Sequence, residues 1–380
     1  GRPVALLGVD MDAAQLLART RNLLLTGVLA AGAGVAVAAL LALITSRSLT
    51  RRLEQVTGVV ERIGSGDLEA RVPEDVAHAS GDEISTVARA VNRVAPQLSA
   101  FLKLRQSLAL AMEVQQALLP SGAPHISGLD IAGKSIYCDE TGGDYYDFLD
   151  VAPIPAGRGA GKELGIAVGD VTGHGVPAAL LMTTARALIR GRVARTGSLA
   201  QGFDDINRLL SADTGGTRFM TLFYMVLDTE TRAVRWISAG HDPAIIYNAK
   251  VAAAAGAGGA TPAGASGGDS GGASEADAGF SELEGDDIPL GIDETWSFTE
   301  KQGRTLSPGD VIVIGTDGIW ESRDASGKDF GKGRLRELVR AHAHEPAAAI
   351  AEAIARALRE FRGEGRAQED DVTLVVLKVA

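Results

Sequence analysis

Gly169-Asp170-Val171-Thr172-Gly173-His174-Gly175 follows directly on the apolar run Leu164-Gly165-Ile166-Ala167-Val168. A short β-type run therefore delivers an aspartate into a glycine-rich turn. The same device recurs in Gly315-Thr316-Asp317-Gly318 after Val311-Ile312-Val313-Ile314, and, reversed, in Asp370-Asp371-Val372-Thr373 ahead of the apolar run to Val379. A fourth aspartate lies in Gly142-Gly143-Asp144-Tyr145-Tyr146-Asp147. Any one Asp-Gly after a strand is more often a turn than a ligand. Several gathered together are another matter, since two carboxylates about 4 Å apart repel by roughly 4 kcal/mol at an effective dielectric near 20. A chain that gathers them commonly holds hard divalent cations through oxygen ligands.

Eight segments occur in a telling order: Glu113-Val114-Gln115-Gln116-Ala117-Leu118-Leu119-Pro120, the GGDYYD and GDVTGHG stretches, Phe219-Met220-Thr221-Leu222-Phe223-Tyr224, Ser238-Ala239-Gly240-His241-Asp242-Pro243, Pro289-Leu290-Gly291-Ile292, Thr316-Asp317-Gly318-Ile319-Trp320-Glu321 and the final DDVTLVVL. From about Ala111 to the C-terminus the chain resembles the SpoIIE-type branch of the metal-dependent (type 2C) protein serine/threonine phosphatases. The resemblance implies an α+β fold whose catalytic domain is an α/β/β/α sandwich. The periodicity alone says only mixed α and β, with strands near 164–168, 220–227, 233–238, 243–247, 311–315 and 372–379 and helices near 177–191, 200–210, 332–342 and 346–361.

The resemblance also implies the chemistry. Two divalent cations, Mn²⁺ or Mg²⁺, would be held with Asp170 bridging, the carbonyl of Val171 adding an oxygen, and Asp317 and Asp370 completing the ligands of the second ion. Asp144 would lie near the first ion, directly or through water. Asp371 reads as a ligand's neighbour, and Asp147 as an outer acceptor or a cap of the following turn. The implied reaction is attack of a metal-activated water on phosphoserine or phosphothreonine of a protein, commonly an anti-sigma-factor antagonist of STAS fold. Two departures from the wider class stand out. Thr172 occupies the position where that class has histidine, so His174 is not assigned as general acid; it and His241 are expected to be buried and structural. No arginine precedes the GGD segment to hold the phosphate.

With 380 residues the chain has room for several units, and its net charge of −11 argues against nucleic acid as a partner. The single cysteine, Cys138, excludes a disulfide framework and is expected to be a buried, inert thiol. Leu23 to Ile44 carries no charge and is long enough to cross a bilayer. Residues 1–21 read as the remnant of an extracytoplasmic sensor domain ending in the strand Val4 to Asp10, 22–45 as the transmembrane helix and 46–99 as a two-helix module resembling a parallel dimeric HAMP domain. Residues 100–120 read as a regulatory linker helix and 121–380 as the phosphatase domain. The expected setting is the cell membrane, crossed once or twice, with a cytoplasmic catalytic domain and a homodimer.

Residues at four- and three-residue steps, Leu49, Leu53, Val56, Val60 and Ile63, then Leu98, Phe101, Arg105, Leu108, Met112, Gln115 and Leu119, apolar but for Arg105 and Gln115, form the seam that suggests pairing. Pro96 should break the helix that opens at Gly81-Asp82-Glu83-Ile84 from a second, coupled helix of about Gln97 to Leu119. Val251 to Ala278, nearly all Ala, Gly, Ser, Thr, Pro and acidic residues, reads as a disordered insertion. Two other functions are weighed. Gly142-Gly143-Asp144 is similar to a diguanylate cyclase signature, but Tyr145-Tyr146 and the downstream acidic motifs oppose it; an inactive signalling scaffold is opposed by retention of all four aspartates.

Overall fold

A computed structural model describes residues 13–78, 81–139, 141–151, 163–193, 198–256, 278–363 and 365–380. The strand expected at Val4 to Asp10 lies outside the described residues. The chain forms two compact units, Gly1–Gln106 and Ser107–Ala380.

In the first unit, helix α1 (Ala13–Gly64) takes in the uncharged stretch, whose leucines and valines are exposed, and is long and apolar enough by composition to cross a membrane. A short helix, α2 (Glu74–Ala77), precedes α3 (Glu83–Leu118). Val56 and Val59 of α1 bury against Ala70, Val72, Val76, Ala77 and Ala88. The polar fasteners are specific. Arg52 donates to Asp82 at 2.6 Å and to Ser85 at 2.8 Å, while Asn92 accepts from the Val72 N–H and donates to its carbonyl. Asp82 also accepts from the Ser85 N–H at 2.9 Å, capping the start of α3. The expected division at Pro96 is corrected: α3 runs through it as one helix. The proline removes one backbone donor, at a cost near 3 kcal/mol. The buried Ala88 and Ala95 and the Asn92 clamp hold the preceding turns helical.

The second unit is built on two antiparallel five-stranded sheets. One has the order β1 (Leu129–Ile136), β10 (Val372–Val379), β9 (Asp310–Gly315), β6 (Ala244–Asn248), β7 (Phe280–Leu283). The other runs β2 (Tyr145–Val151), β3 (Glu163–Val171), β4 (Met220–Asp228), β5 (Ala233–Ala239), β8 (Lys301–Thr305). Between the sheets Ile166, Val168, Phe223, Met225, Val375 and Leu377 share one core, which is why the central strands are continuously apolar. Helices α4 (Val176–Arg192) and α5 (Leu199–Thr214) cover the second sheet, and α7 (Gly331–His342) and α8 (Ala347–Arg362) the first. On α8, Ile350, Ile354 and Leu358 recur on one face and are buried, each contributing about 1.5–3 kcal/mol. This is the expected α/β/β/α sandwich.

Strands β1, β2, β7 and β8 escape the sequence reading. β8, Lys-Gln-Gly-Arg-Thr, is an edge strand without apolar alternation, and β2 is the segment read only as a site motif. The expected insertion begins differently too: helix α6 (Ala249–Gly256) occupies its first residues, and residues 257–277 lie outside the described residues.

Candidate active site

Strand register gathers the acidic motifs. Tyr145 pairs with Gly169, which sets Asp144 and Asp170 at the same end of the β2–β3 pair. Gly315 pairs with Leu374, so Thr316-Asp317 leaving β9 and Asp370-Asp371 entering β10 meet at one end of the other sheet. The two ends are joined by a bond between sheets: Thr316 Oγ1 donates to Asp144 Oδ2 at 2.9 Å and accepts from the Thr373 N–H at 3.0 Å.

Asp144 is wholly buried, Asp170 and Asp317 are half-buried, and Asp370 is the exposed member at the rim. Burial, then the charges of Asp170 and Asp371, pushes the Asp144 carboxyl well above its ordinary range. Asp170 is pushed up to about 8 by burial and then by Asp317 and Asp370. Asp317 is raised by burial and by Asp370, and Asp370 chiefly by burial. These mutual shifts are the electrostatic signature of carboxylates brought close together. None of the four has an ion-pair partner among the described residues.

An oxygen-only donor set with surplus negative charge fits hard divalent cations. A second feature agrees. A Cβ placed on Gly143 would stand 2.7 Å from the Val171 carbonyl oxygen and 3.3 Å from Asp170 Oδ1, so glycine keeps open the space beside both. Among the described residues no three His, Cys, Asp or Glu side chains are drawn together tightly enough to hold an ion alone. Backbone carbonyls and water would have to complete each shell, as they commonly do for Mg²⁺.

Several neighbours hold this arrangement in place. Asp371 accepts from the Cys138 N–H and the Gly143 N–H, both at 2.8 Å, so it ties the GGD loop to β10. Gln115 of α3 is buried and brackets Gly142, donating to its carbonyl at 2.6 Å and accepting from its N–H at 3.3 Å. Its place on the expected pairing seam is therefore corrected: the side chain points into its own domain. Asp147 does not cap a turn. It is a fully buried charge that accepts two bonds from Arg190 of α4, at 2.6 and 2.7 Å, and one from Tyr145 Oη at 2.9 Å.

The histidines divide. His241 is buried as expected; its Nε2–H donates to the Gly315 carbonyl, Nδ1 accepts from Thr221 Oγ1, and burial lowers its pKa to about 4. His174 is not buried, because the GDVTGHG turn stands clear of the sheets; its exposed ring meets the Asp139 carboxylate through Nδ1. Cys138 is half-buried rather than buried, and desolvation pushes its thiol up to about 12, which leaves it unreactive.

The family model for stage II sporulation protein E (SpoIIE) matches residues 160–276 and 273–380, and that for the HAMP domain matches 44–99. The chain belongs to the SpoIIE family. This SpoIIE-family chain is 25% identical over 280 residues to the phosphoserine phosphatase RsbU of Bacillus subtilis, covering 73% of this chain and 71% of that protein. Among solved structures it is similar to the SiaA-PP2C domain of Pseudomonas aeruginosa, with TM-score 0.54 and 23% identity over 74% of this chain and 99% of that one. It is also similar to the RsbU and RsbW domains of a Mycobacterium tuberculosis protein, with TM-score 0.51 and 22% identity over 69% and 62% of the two chains. Those two structures speak for the fold. The SpoIIE-family chain is thus a PP2C-type protein serine/threonine phosphatase joined to a HAMP domain, and the cyclase alternative falls away.

Proposed function

We propose that this phosphatase is a membrane-anchored signalling enzyme that removes phosphate from serine or threonine of a protein, using two divalent cations, Mn²⁺ or Mg²⁺. The carrying observation is the meeting of Asp144, Asp170, Asp317 and Asp370, mutually repelling and without ion-pair partners among the described residues, at one end of the sandwich. Asp170 would bridge the ions, the Val171 carbonyl would add an oxygen, Asp317 and Asp370 would serve the second ion, and Asp144 the first. Bound there, such ions supply a water of lowered pKa and neutralise charge on the phosphoryl oxygens. The chain's own work is positional. Thr316 orients Asp144, Asp371 and Gln115 fix the GGD backbone, and Gly143 leaves the approach to Val171 and Asp170 open.

The likeness to RsbU, and the pairing of RsbU and RsbW domains in the M. tuberculosis structure, support a partner-switching role. The substrate proposed is a phosphorylated STAS-type anti-sigma-factor antagonist. The uncharged helix before the HAMP domain supports a membrane anchor at residues 22–45, with HAMP at 46–99, a linker helix at 100–120 and a cytoplasmic catalytic domain at 121–380 that works as a homodimer. The test is phosphate release from a serine-phosphorylated STAS protein. Release with Mn²⁺ or Mg²⁺ and none in EDTA is expected; turnover that persists in EDTA would refute the metal assignment.

A further inference from the structure

Beside the acidic cluster lies a pocket of about 190 Å³ whose lining includes Gly318 and Asp370 together with Arg323, Arg362 and Arg366. The three arginines are not equivalent. Arg323 is committed to Asp329 at 3.2 Å and Glu369 at 3.8 Å, and Arg366 donates to the Asp324 carbonyl. Arg362, at the C-terminal end of α8, is half-buried and donates through Nη1 to Gln368 Oε1 at 2.7 Å. Among the described residues it forms no ion pair. Gln368 is itself fixed, since its Nε2 donates to the Ile136 carbonyl at 2.7 Å, and so it holds the guanidinium in one aim. A guanidinium offers five donors in a rigid fork that matches a carboxylate bidentately. Held half out of water with most of those donors unused among the described residues, it is poised for an anion.

Charge decides which anion. Glu321, Glu369 and Asp370 line the same pocket as the three arginines. Once the charge of Asp370 is committed to a cation, a single positive charge is left over, which suits a monoanion better than a second phosphate. We propose that this pocket is a specificity subsite for a carboxylate side chain of the protein substrate, an Asp or Glu close in sequence to the phosphorylated serine, with Arg362 as its partner. The shared wall at Asp370 places the subsite next to the reacting phosphate. An extended chain advances about 3.3 Å per residue, so the positions nearest the phosphoserine are the ones to vary. The inference rests on the phosphatase reading and deepens it, because it names a residue at the end of α8 that selects the protein substrate without touching the reacting phosphate.

The test uses the full-length chain with Mn²⁺, p-nitrophenyl phosphate, and phosphoserine peptides carrying Glu, Ala or Lys at the two positions on either side. The parent should favour the Glu peptides about 10-fold or more in kcat/KM, the scale of a hydrogen-bonded charge pair. Arg362→Gln should bring the Glu peptides down to the Ala peptides through KM, and leave p-nitrophenyl phosphate turnover within about twofold, which also reports an intact fold. Arg362→Glu should turn the preference toward the Lys peptides. A parent that hydrolyses p-nitrophenyl phosphate with no peptide preference overturns the subsite alone. An Arg362→Gln enzyme that loses activity equally on every substrate also overturns it, because the guanidinium would then serve the reacting phosphate or the fold. A parent inactive on p-nitrophenyl phosphate with Mn²⁺ overturns the phosphatase reading and this inference with it.

Discussion

Replacing Gly143 by alanine adds one methyl group where the site has no room for it. The new Cβ would lie 2.7 Å from the Val171 carbonyl oxygen, 3.2 Å from Ala178 Cβ and 3.3 Å from Asp170 Oδ1. Gly143 is not among the glycines with positive φ, so the penalty is one of space and not of backbone conformation. Two of the three neighbours are a β3 backbone atom and a methyl on buried α4, which cannot swing aside as a flexible side chain would. Overpacking of this kind costs about 1–3 kcal/mol. If the strain appears in the metal-free fold, the melting temperature in EDTA falls by about 2–4 °C for each kcal/mol. If the loop relaxes when empty, the same strain appears on loading, and the Mn²⁺ concentration for half-maximal phosphate release rises about 5- to 150-fold. Gly333→Ala on α7 is the control, since nothing lies within 4 Å of its added methyl group. A Gly143→Ala enzyme with the parent's melting temperature and the parent's Mn²⁺ demand would refute the reasoning that glycine keeps this approach open.

Asp170→Asn should abolish metal-dependent turnover and yet raise the melting temperature of the metal-free protein near pH 8. The unfolded carboxyl loses its proton near pH 4 and the folded one near 8, so the folded parent binds the extra proton in between and loses stability as pH rises through that window; a variant less stable than the parent in EDTA would contradict this. His241 has the opposite sign. Its folded pKa of about 4 lies below the ordinary 6.5, so stability is full above pH 6.5 and falls by roughly 3 kcal/mol as pH drops toward 4, read as the difference between denaturant titrations of the parent and of His241→Gln. A pH dependence identical in the two proteins would argue against a buried neutral imidazole. On α3, Phe101 and Leu104 are each 60% exposed within the single chain. Leu108→Glu should therefore shift sedimentation from dimer to monomer and change turnover with it, whereas a monomeric parent with the same rate as the variant would reduce this helix to a tether.

Three of the four acidic motifs set glycine beside the aspartate and three adjoin a β-type apolar run, and such local chemistry survives in a linear reading. The central strands β3, β9 and β10 were legible for the same reason: buried on both faces, they are written almost wholly in apolar residues. The edge strand β8 was not, since it has one neighbour and little burial to impose a pattern. The continuity of α3 through Pro96 was hidden because tertiary packing outweighed a local propensity.

Sequence by itself determined the family, the layered α+β fold and the positions of Asp144, Asp170, Asp317 and Asp370. Only the tertiary structure decided what each neighbour does. It set Asp371 to tie the GGD loop, Gln115 to bracket Gly142, Asp147 to pair with Arg190 and Arg362 to be held by Gln368 in the pocket that Asp370 also lines. These roles join residues 27, 43 and 228 positions apart. Such partners are fixed by strand register and helix packing, which depend on the whole sandwich closing around one core and leave no mark in any short stretch of sequence.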